Sequence, residues 1–523
     1  MSGSFDRGIT VTEIAPMGQP IEIAPETTAA FVGRALRGPL NTPILIHRFG
    51  EFCRRFGSSW SRSSLGPAVQ QFFEHGGQNL YIVRVANNAR SALICMPAGG
   101  SALVLRAMEP GSTERIRAAV DYDGIDDEHL FNLTLQRINP ANGFIVDQEM
   151  FSNLSFVEGA ETFVGDMLLS STMAQVEHPY PTHRPELTCN SDNRFDLAWI
   201  GHAQDGTDGV ELSDYDLVGS RRDGTGIFAL QQTENFDLLY LPPCGKNTET
   251  GPAAVLAAEL FCRDRRAMLV VDPEANWRSC ADVLQGVREL GYASSNMLTY
   301  YPRVKSRGDK DDAERVAGAA FAGLLCKLDR SFGSWQSLEH ESVALMRNMT
   351  PAHDVNEEEM HALVRAGINV IDAGIAGRAR INGSRTMARG SESYRVFSSL
   401  SVRRLCLQII NMIDQSTRWA VFEKPDMRLT NRIRDQIFSY FFDLAELGAF
   451  ASERFVVECD AGLCRREDRI EHGVTILLQF QPLGAVEPIS FTIHQTVAGC
   501  RVASTVFAPN MGNFAVRDLR FAV

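Results

Sequence analysis

Three short apolar runs constrain this chain most: "FDLLYLPP" (Phe236–Pro243), "AMLVVDP" (Ala267–Pro273) and "NMLTYYPRV" (Asn296–Val304). Each is apolar in succession rather than in alternation, which suits a strand covered on both faces. Between them lie two segments with helix punctuation. "GPAAVLAAELFCRDRR" (Gly251–Arg266) has Pro252 in its first turn, and "NWRSCADVLQGVRELG" (Asn276–Gly291) ends on glycine. Buried strands alternating with helices require a mostly parallel sheet between helical layers. The same grammar appears earlier. "TPILIH" (Thr42–His47) reads as a strand, "FGEFCRRFG" (Phe49–Gly57) and "SLGPAVQQFFEHGG" (Ser64–Gly77) as helices, and "NLYIVRVAN" (Asn79–Asn87) as a buried strand.

The character changes between about 90 and 200. Runs such as "SALVLRAM", "HLFNLTLQRI" and "GFIVDQEMFSNLSF" are short, β-like and separated by Gly, Pro, Asn and Asp. They predict a β-rich domain inserted between two α/β pieces. The C-terminal part opens with a strand at "GINVID" (Gly367–Asp372). "YRVFSSLSVRRLCLQIINMIDQST" (Tyr394–Thr417) predicts a strand, then a helix capped by Ser401. Leu405, Ile409 and Ile413 share one face of it, with Val402, Cys406 and Ile410 beside them. "RWAVFE" (Arg418–Glu423) reads as the next strand. Residues 425–448 form a long helix with the stripe Leu429, Ile433, Ile437, Phe441 and Leu444, ended by Gly448. Late strands follow in "RFVVECDAG", "HGVTILLQFQPL" and "PISFTIHQT". At 523 residues the chain has room for about three domains of roughly 150 residues.

No catalytic pattern survives the pass along the chain. "PPCGKNT" contains Gly-Lys, but Tyr240 stands where a phosphate loop needs glycine. There is no G-x-S-x-G elbow and no H-E-x-x-H. "DYDGIDDEHL" (Asp121–Leu130) has its glycine at the fourth position, where a calcium loop needs it at the sixth. It reads as a solvated loop. "GDKDDAER" (Gly308–Arg315) reads as an acidic helix start. The eleven cysteines include no CxxC pair, so zinc spacing is absent; Cys459 and Cys464 are the nearest pair. The net charge of −13 argues against a general phosphate-binding surface. No apolar run approaches the length of a membrane span, and "MSGSFDRGIT" lacks the basic and apolar parts of a secretory signal. No cofactor, no metal and no enzymatic activity are expected.

Two features point to assembly. Seven arginines (Arg378, Arg380, Arg385, Arg389, Arg395, Arg403, Arg404) and one acid, Glu392, fall between Ile375 and Leu405. Lys424, Arg428, Arg432 and Arg434 crowd the first turns of the last long helix, where cations oppose the helix dipole. They read either as a solvated face with local pairs or as a dock for an acidic partner. The other feature is the ends. "GITVTEI" alternates like a strand and is followed by the proline-bearing "APMGQPIEIAPE". The tail "AGCRVASTVFAPNMGNFAVRDLRFAV" is also extended and apolar. A strand on a leash can complete another subunit's sheet, or pair within its own chain.

These stretches, taken in order, resemble the contractile tail sheath proteins of bacteriophages and related injection machines. The carriers are "GITVTEI", "TTAAFVGRALRGPLNTPILIHRFGEFCRRFG", "AVQQFFEHGGQNLYIVRV", "GINVI", "SVRRLCLQIINMIDQSTRWAVFE", "RIRDQIFSYFFDLAELGAF" and "VTILLQFQPLGAVEPISFTI". The resemblance covers about residues 5–88 and 205–497. It implies a discontinuous, multi-domain α/β sheath fold with five parts: an N-terminal linking arm at 1–27, an α/β core at 28–89 and 201–344, an inserted β-rich outer domain at 90–200, an α/β C-terminal inner domain facing the tube at 345–497, and a C-terminal linking arm at 498–523. It implies six-subunit rings stacked helically around a tail tube, joined by exchanged arm strands. The partners would be other copies of the chain, the tube protein, and baseplate and terminator or neck proteins. Neither nucleic acid nor membrane insertion is implied. The place would be a virion tail assembled in the host cytoplasm. Carried over by position, Ile9, Val11, Glu13 and Ile14 become the arm strand, and Lys424, Arg428, Arg432 and Arg434 become tube contacts. Cys459, Cys464 and Cys500 become candidates for inter-subunit disulfides that lock the extended sheath. The competing readings are a sheath of a non-phage injection system and an α/β nucleotide-dependent enzyme.

Overall fold

The continuous apolar runs pair side by side. The structure is a computed structural model describing residues 20–23, 26–190, 193–245, 248–306, 313–374, 378–388, 396–423, 427–459, 474–496 and 499–506. Eight strands form one sheet in the order Arg380–Asn382, Asn369–Asp372, Met297–Tyr301, Met268–Val271, Leu238–Tyr240, Thr28–Gly33, Asn79–Arg84 and Ile44–Ile46. The inner six are mutually parallel, and an antiparallel strand closes each edge. Successive side chains enter opposite cores. Ala29, Phe31, Leu238 and Tyr240 face one side, where the helices Phe49–Phe56, Leu65–Glu74 and Gly318–Phe332 lie. Ala30, Val32, Leu239 and Leu269 face the other, under Pro252–Arg265, Cys280–Glu289 and Glu357–Arg365. Both faces are dry, which is why these strands show no polar alternation.

The 90–200 region is β-rich. Strands Leu93–Ala98, Ser101–Ala107 and Ala174–Val176 form one sheet, and Ile116–Asp121, Leu130–Ile138 and Ile145–Ser155 another. They share one apolar cluster that includes Leu105, Phe131, Leu133 and Phe163. The two chain passages joining this unit to the core are bridged at Asn87 with Val210, Arg90 with Thr207 and Leu93 with Gln204. The buried Arg84 guanidinium donates to the carbonyls of Ala35 (3.0 Å), Gly38 (2.5 Å) and Pro110 (2.7 Å). Burial lowers its pKa to about 10, and Glu109 and Asp208 oppose that shift.

Toward the C-terminus, helices Leu400–Thr417 and Met427–Glu446 pack on a four-stranded antiparallel sheet of Val456–Cys459, Val474–Phe480, Ile489–Thr496 and Gly499–Val506. Both expected apolar stripes are buried in this cluster. Four local expectations fail. Residues Val396–Ser398 form a 3₁₀ turn rather than a strand, and the following helix begins at Leu400. Its N-cap is Ser399, in extended conformation, not Ser401; both are cap-type residues two positions apart, so sequence does not separate them. Arg418–Phe422 is also a 3₁₀ turn, continuing from the long helix, with Trp419 Nε1 donating to the Ser416 carbonyl at 2.6 Å. A five-residue apolar run has too little length to distinguish strand from turn by period. Finally, Glu314–Arg315 pairs as a short strand with Val304–Lys305, and the helix starts at Gly318. Residues 308–312 lie outside the described residues.

Candidate assembly surfaces

The last long helix buries Leu429, Ile433, Ile437, Tyr440, Phe441 and Leu444, so the opposite face is outward. Its arginines are unequal. Arg432 lies 3.0 Å from Glu423 and 3.9 Å over the Trp419 ring, an ion pair combined with a cation–π contact. Arg434 pairs with Asp435 at 3.0 Å. Arg428 is exposed, and Lys424 lies outside the described residues. The solvated-face reading with local pairs therefore describes Arg432 and Arg434. Sequence reasoning missed the apolar part of this surface. Phe422 is 85% exposed and Met427 79%, with Phe438, Phe442 and Leu447 about half exposed. Met427, Asn431, Phe438 and Phe442 sit three to four residues apart or at multiples of that, on one side of the helix. The result is an exposed strip of Met427, Phe438 and Phe442, interrupted by Asn431 and edged by Arg428 and Arg434.

The arginine-rich stretch before this helix splits in the same way. Arg378, Arg380 and Arg385 are exposed, while Arg403 and Arg404 are buried. Arg403 donates to Asn296 Oδ1 at 2.7 Å and lies over the Phe397 ring, and Arg404 pairs with Asp329. Those two arginines join the inner helices to the core and present nothing to a partner. Arg389 and Arg395 lie outside the described residues.

The expected arm strand, with Ile9, Val11, Glu13 and Ile14, lies outside the described residues. Its root does not. Ile21 is buried in the C-terminal apolar cluster, and the Ile23 carbonyl accepts from Gln408 Nε2 at 3.2 Å. At the other end, strand Gly499–Val506 pairs along its length with Ile489–Thr496 of its own chain. Residues Gly499–Val506 of the expected C-terminal arm thus form the outer strand of this sheet. Cys459 and Cys500 lie on its two edge strands, three spacings or about 14 Å apart, twice the reach of a disulfide. A bridge between them within one chain is excluded by that distance. Burial pushes the Cys500 thiol up to about 11, so it is protonated at neutral pH. Cys464 lies outside the described residues.

In open parallel α/β sheets, ligands gather beyond the carboxyl ends of the strands. Here Asp272 stands at that position and is engaged by the chain itself. Asp272 follows the Met268–Val271 strand and accepts from Tyr240 Oη (2.7 Å), Tyr300 Oη (2.6 Å) and the Gly318 amide (3.1 Å). Its carboxylate caps the N-terminus of the Gly318–Phe332 helix, where a phosphate group would otherwise fit. A Cβ on Gly318 would meet Tyr240 at 2.4 Å and Asp272 at 2.6 Å, so nothing larger than this contact fits. Among the described residues no group of three ligating side chains is arranged to hold a metal, and no helix is long and apolar enough to cross a membrane.

No family sequence model and no curated protein matches the chain. Solved structures do. A sheath tail protein from Listeria innocua superposes with a TM-score of 0.62 at 13% identity, covering 91% of this chain and 96% of that one. A sheath tail protein from Desulfitobacterium hafniense gives 0.53 at 13% identity, covering 95% and 100%. The contracted helical sheath of the anti-feeding prophage gives 0.54 at 15% identity, covering 92% and 96%. At such identities the likeness speaks for the fold: this chain has the fold of contractile sheath tail proteins, over nearly its whole length.

Proposed function

We propose that the chain is the structural subunit of a contractile tail sheath, polymerising as six-subunit rings around a tail tube and contracting to drive that tube through a cell envelope. The observation that carries this reading is fold agreement over more than nine-tenths of both chains with sheath tail proteins. Contraction then draws on the free energy difference between two subunit packings. The N-terminal strand around Ile9, Val11, Glu13 and Ile14 adds to the C-terminal sheet of a neighbour. Arg428, Arg432, Arg434 and Lys424, with the apolar strip between them, face the tube. Exposed ionic contacts of about 0–1 kcal/mol each suit a surface that must release on firing. Cys464 and Cys500 form bridges between subunits once the particle leaves a reducing compartment. The partners are the tube, baseplate and terminator proteins, in a virion tail assembled in the host cytoplasm.

Micrographs of the purified full chain are expected to show tubes or stacked rings. Deletion of residues 1–20 removes the arm strand but keeps Ile21, so a folded, soluble monomer without tubes is expected. Normal sheaths from that truncation would refute arm exchange. The same fold occurs in the sheath of an extracellular contractile injection system. Whether native particles carry a DNA-filled head separates a phage tail from such a machine.

A further inference from the structure

The Leu400–Thr417 helix is buried over most of its surface, but its two sides differ. Leu405, Ile409 and Ile413 enter the apolar cluster of the C-terminal unit. Arg404, Gln408, Asn411 and Asp414, spaced four, three and three apart, meet the core instead. Arg404 pairs with Asp329. Gln408 accepts from Ser334 Oγ. Asn411 Nδ2 reaches the Arg266 carbonyl at 3.4 Å, and Asp414 receives Arg266 Nη1 at 2.9 Å. The two units thus meet across a seam of side-chain pairs, beside which Leu400 and Leu407 enter the apolar cluster of the core.

The seam encloses a cavity of about 30 Å³ lined in part by Thr27, Asp237, Asp329 and Arg404. The N-terminal segment crosses it as a strap. Ile21 and Ile23 hold to the C-terminal unit. Thr27 Oγ1 donates to Asp329 Oδ2 at 2.5 Å, and the Thr28 amide donates to Asp237 Oδ2 at 2.8 Å. The charges facing Asp237 are Asp329 from the Gly318–Phe332 helix and Arg404 from the Leu400–Thr417 helix. Cys326 stands beside both, and Arg266 lines the same cavity but is committed to Asp414. Two carboxylates therefore share one guanidinium. Asp329 Oδ1 and Arg404 Nη1 have no hydrogen-bond partner among the described residues.

We propose that this seam is a proton-operated latch: a proton taken up by Asp237 balances the cluster and tightens the core and the C-terminal unit on the N-terminal strap, and its release loosens them. Burial raises the Asp237 pKa from the ordinary 3.8 to about 6, the Asp329 charge adds to this, and the Thr28 amide and Arg404 oppose it. The closed seam thus binds the proton more tightly than an open, solvated one. Tightening appears as pH falls through 6 and is complete below 4; it is lost as pH rises through 6.

Hydrogen–deuterium exchange on the full-length subunit tests this, read on peptides of the Leu400–Thr417 helix and corrected for intrinsic exchange. From about pH 7.5 to about pH 5 the seam-opening equilibrium is expected to fall about tenfold. Asp237→Asn keeps the acceptor for Thr28 and removes the charge. It is expected to show the protected level at both pH values. Asp329→Asn breaks the Arg404 pair and is expected to expose the helix at both. A flat response in the wild-type chain would overturn the latch, as would a D237N chain that opens as D329N does. Asp272 titrates near the same pH at the opposite ends of the strands, and D237N leaves it intact.

Discussion

Tyr240→Phe isolates the energetics of the Asp272 cap. The hydroxyl donates to Asp272 Oδ2 at 2.7 Å, and the phenyl ring keeps the packing against Phe31 at 5.1 Å between centroids. Burial raises the Asp272 pKa to about 6, against the two tyrosine donors, Arg303 and the Gly318 amide, which lower it. A hydrogen bond to a charged acceptor contributes about 1.5–3 kcal/mol, and a neutral one about 1 kcal/mol. Removing the Tyr240 donor is therefore expected to cost about 2–3 kcal/mol near pH 8, where Asp272 is ionised, and about 1 kcal/mol near pH 4.5, where it is protonated. The sign follows from the raised pKa. The folded state holds this proton more tightly than the unfolded one, so stability from this site rises as pH falls through 6. Loss of a donor raises the pKa further and steepens that slope. A chain with several cores need not unfold in one step, so the measurement should be local. Exchange protection of the Met268–Val271 strand, followed across the pH range in both proteins, supplies it. An equal cost of Y240F at pH 8 and pH 4.5 would refute the carboxylate as the acceptor that matters.

Arg84→Lys is expected to destabilise the root of the β-rich insertion by about 3 kcal/mol, since one ammonium cannot serve the carbonyls of Ala35, Gly38 and Pro110 together; limited proteolysis within 85–92 and 201–212 reads it out, and an unchanged cleavage rate would count against the clamp. Phe422→Ser and Met427→Ser touch side chains that are 85% and 79% exposed, so thermal stability should hold within about 0.5 kcal/mol. Binding to the tube, measured by co-sedimentation, should weaken; equal co-sedimentation would remove this strip from the tube contact.

What the sequence made legible is what local period encodes. The parallel sheet follows from Leu238–Tyr240, Met268–Val271 and Met297–Tyr301, because strands dry on both faces leave an unbroken apolar trace. The stripe Leu429, Ile433, Ile437, Phe441 and Leu444 was equally plain. The cap and the seam were not. Asp272 and Asp237 each adjoin an apolar strand and look like ordinary strand-end residues until Tyr300, Asp329 and Arg404 arrive from far along the chain. Arg403 and Arg404, inside "SVRRLCLQII", carried the one available signal: two cations flanked by apolar residues in the first turns of a buried helix must find buried partners. Counting them with the exposed arginines hid that signal. Arg266 was hidden for a related reason. It occupies the left-handed position ending the Pro252–Arg265 helix, where glycine is favoured, and its side chain crosses the seam to Asp414.

The two joints of the core differ in the kind of partner they use, and this difference governs where the subunit can give. Arg84 binds the insertion through main-chain carbonyls, and Arg34 likewise donates to the Asp208 carbonyl at 2.8 Å. Those acceptors are fixed by the backbone path, so separating the joint means unfolding it. The seam under Leu400–Thr417 relies mainly on side chains: Arg404 with Asp329, Arg266 with Asp414, Gln408 with Ser334. Parting such pairs breaks contacts between side chains and leaves the backbone path of each unit unchanged. An interface held largely by polar pairs, with only Leu400 and Leu407 entering the core's apolar cluster, is also where relative domain motion is expected. The strap at Ile21, Ile23, Thr27 and Thr28 spans this joint, and the segment bearing Ile9 to Ile14 continues from it. Tension on that segment therefore meets Ile21 in the C-terminal apolar cluster first and the Asp237, Asp329 and Arg404 cluster next, before it reaches the parallel sheet.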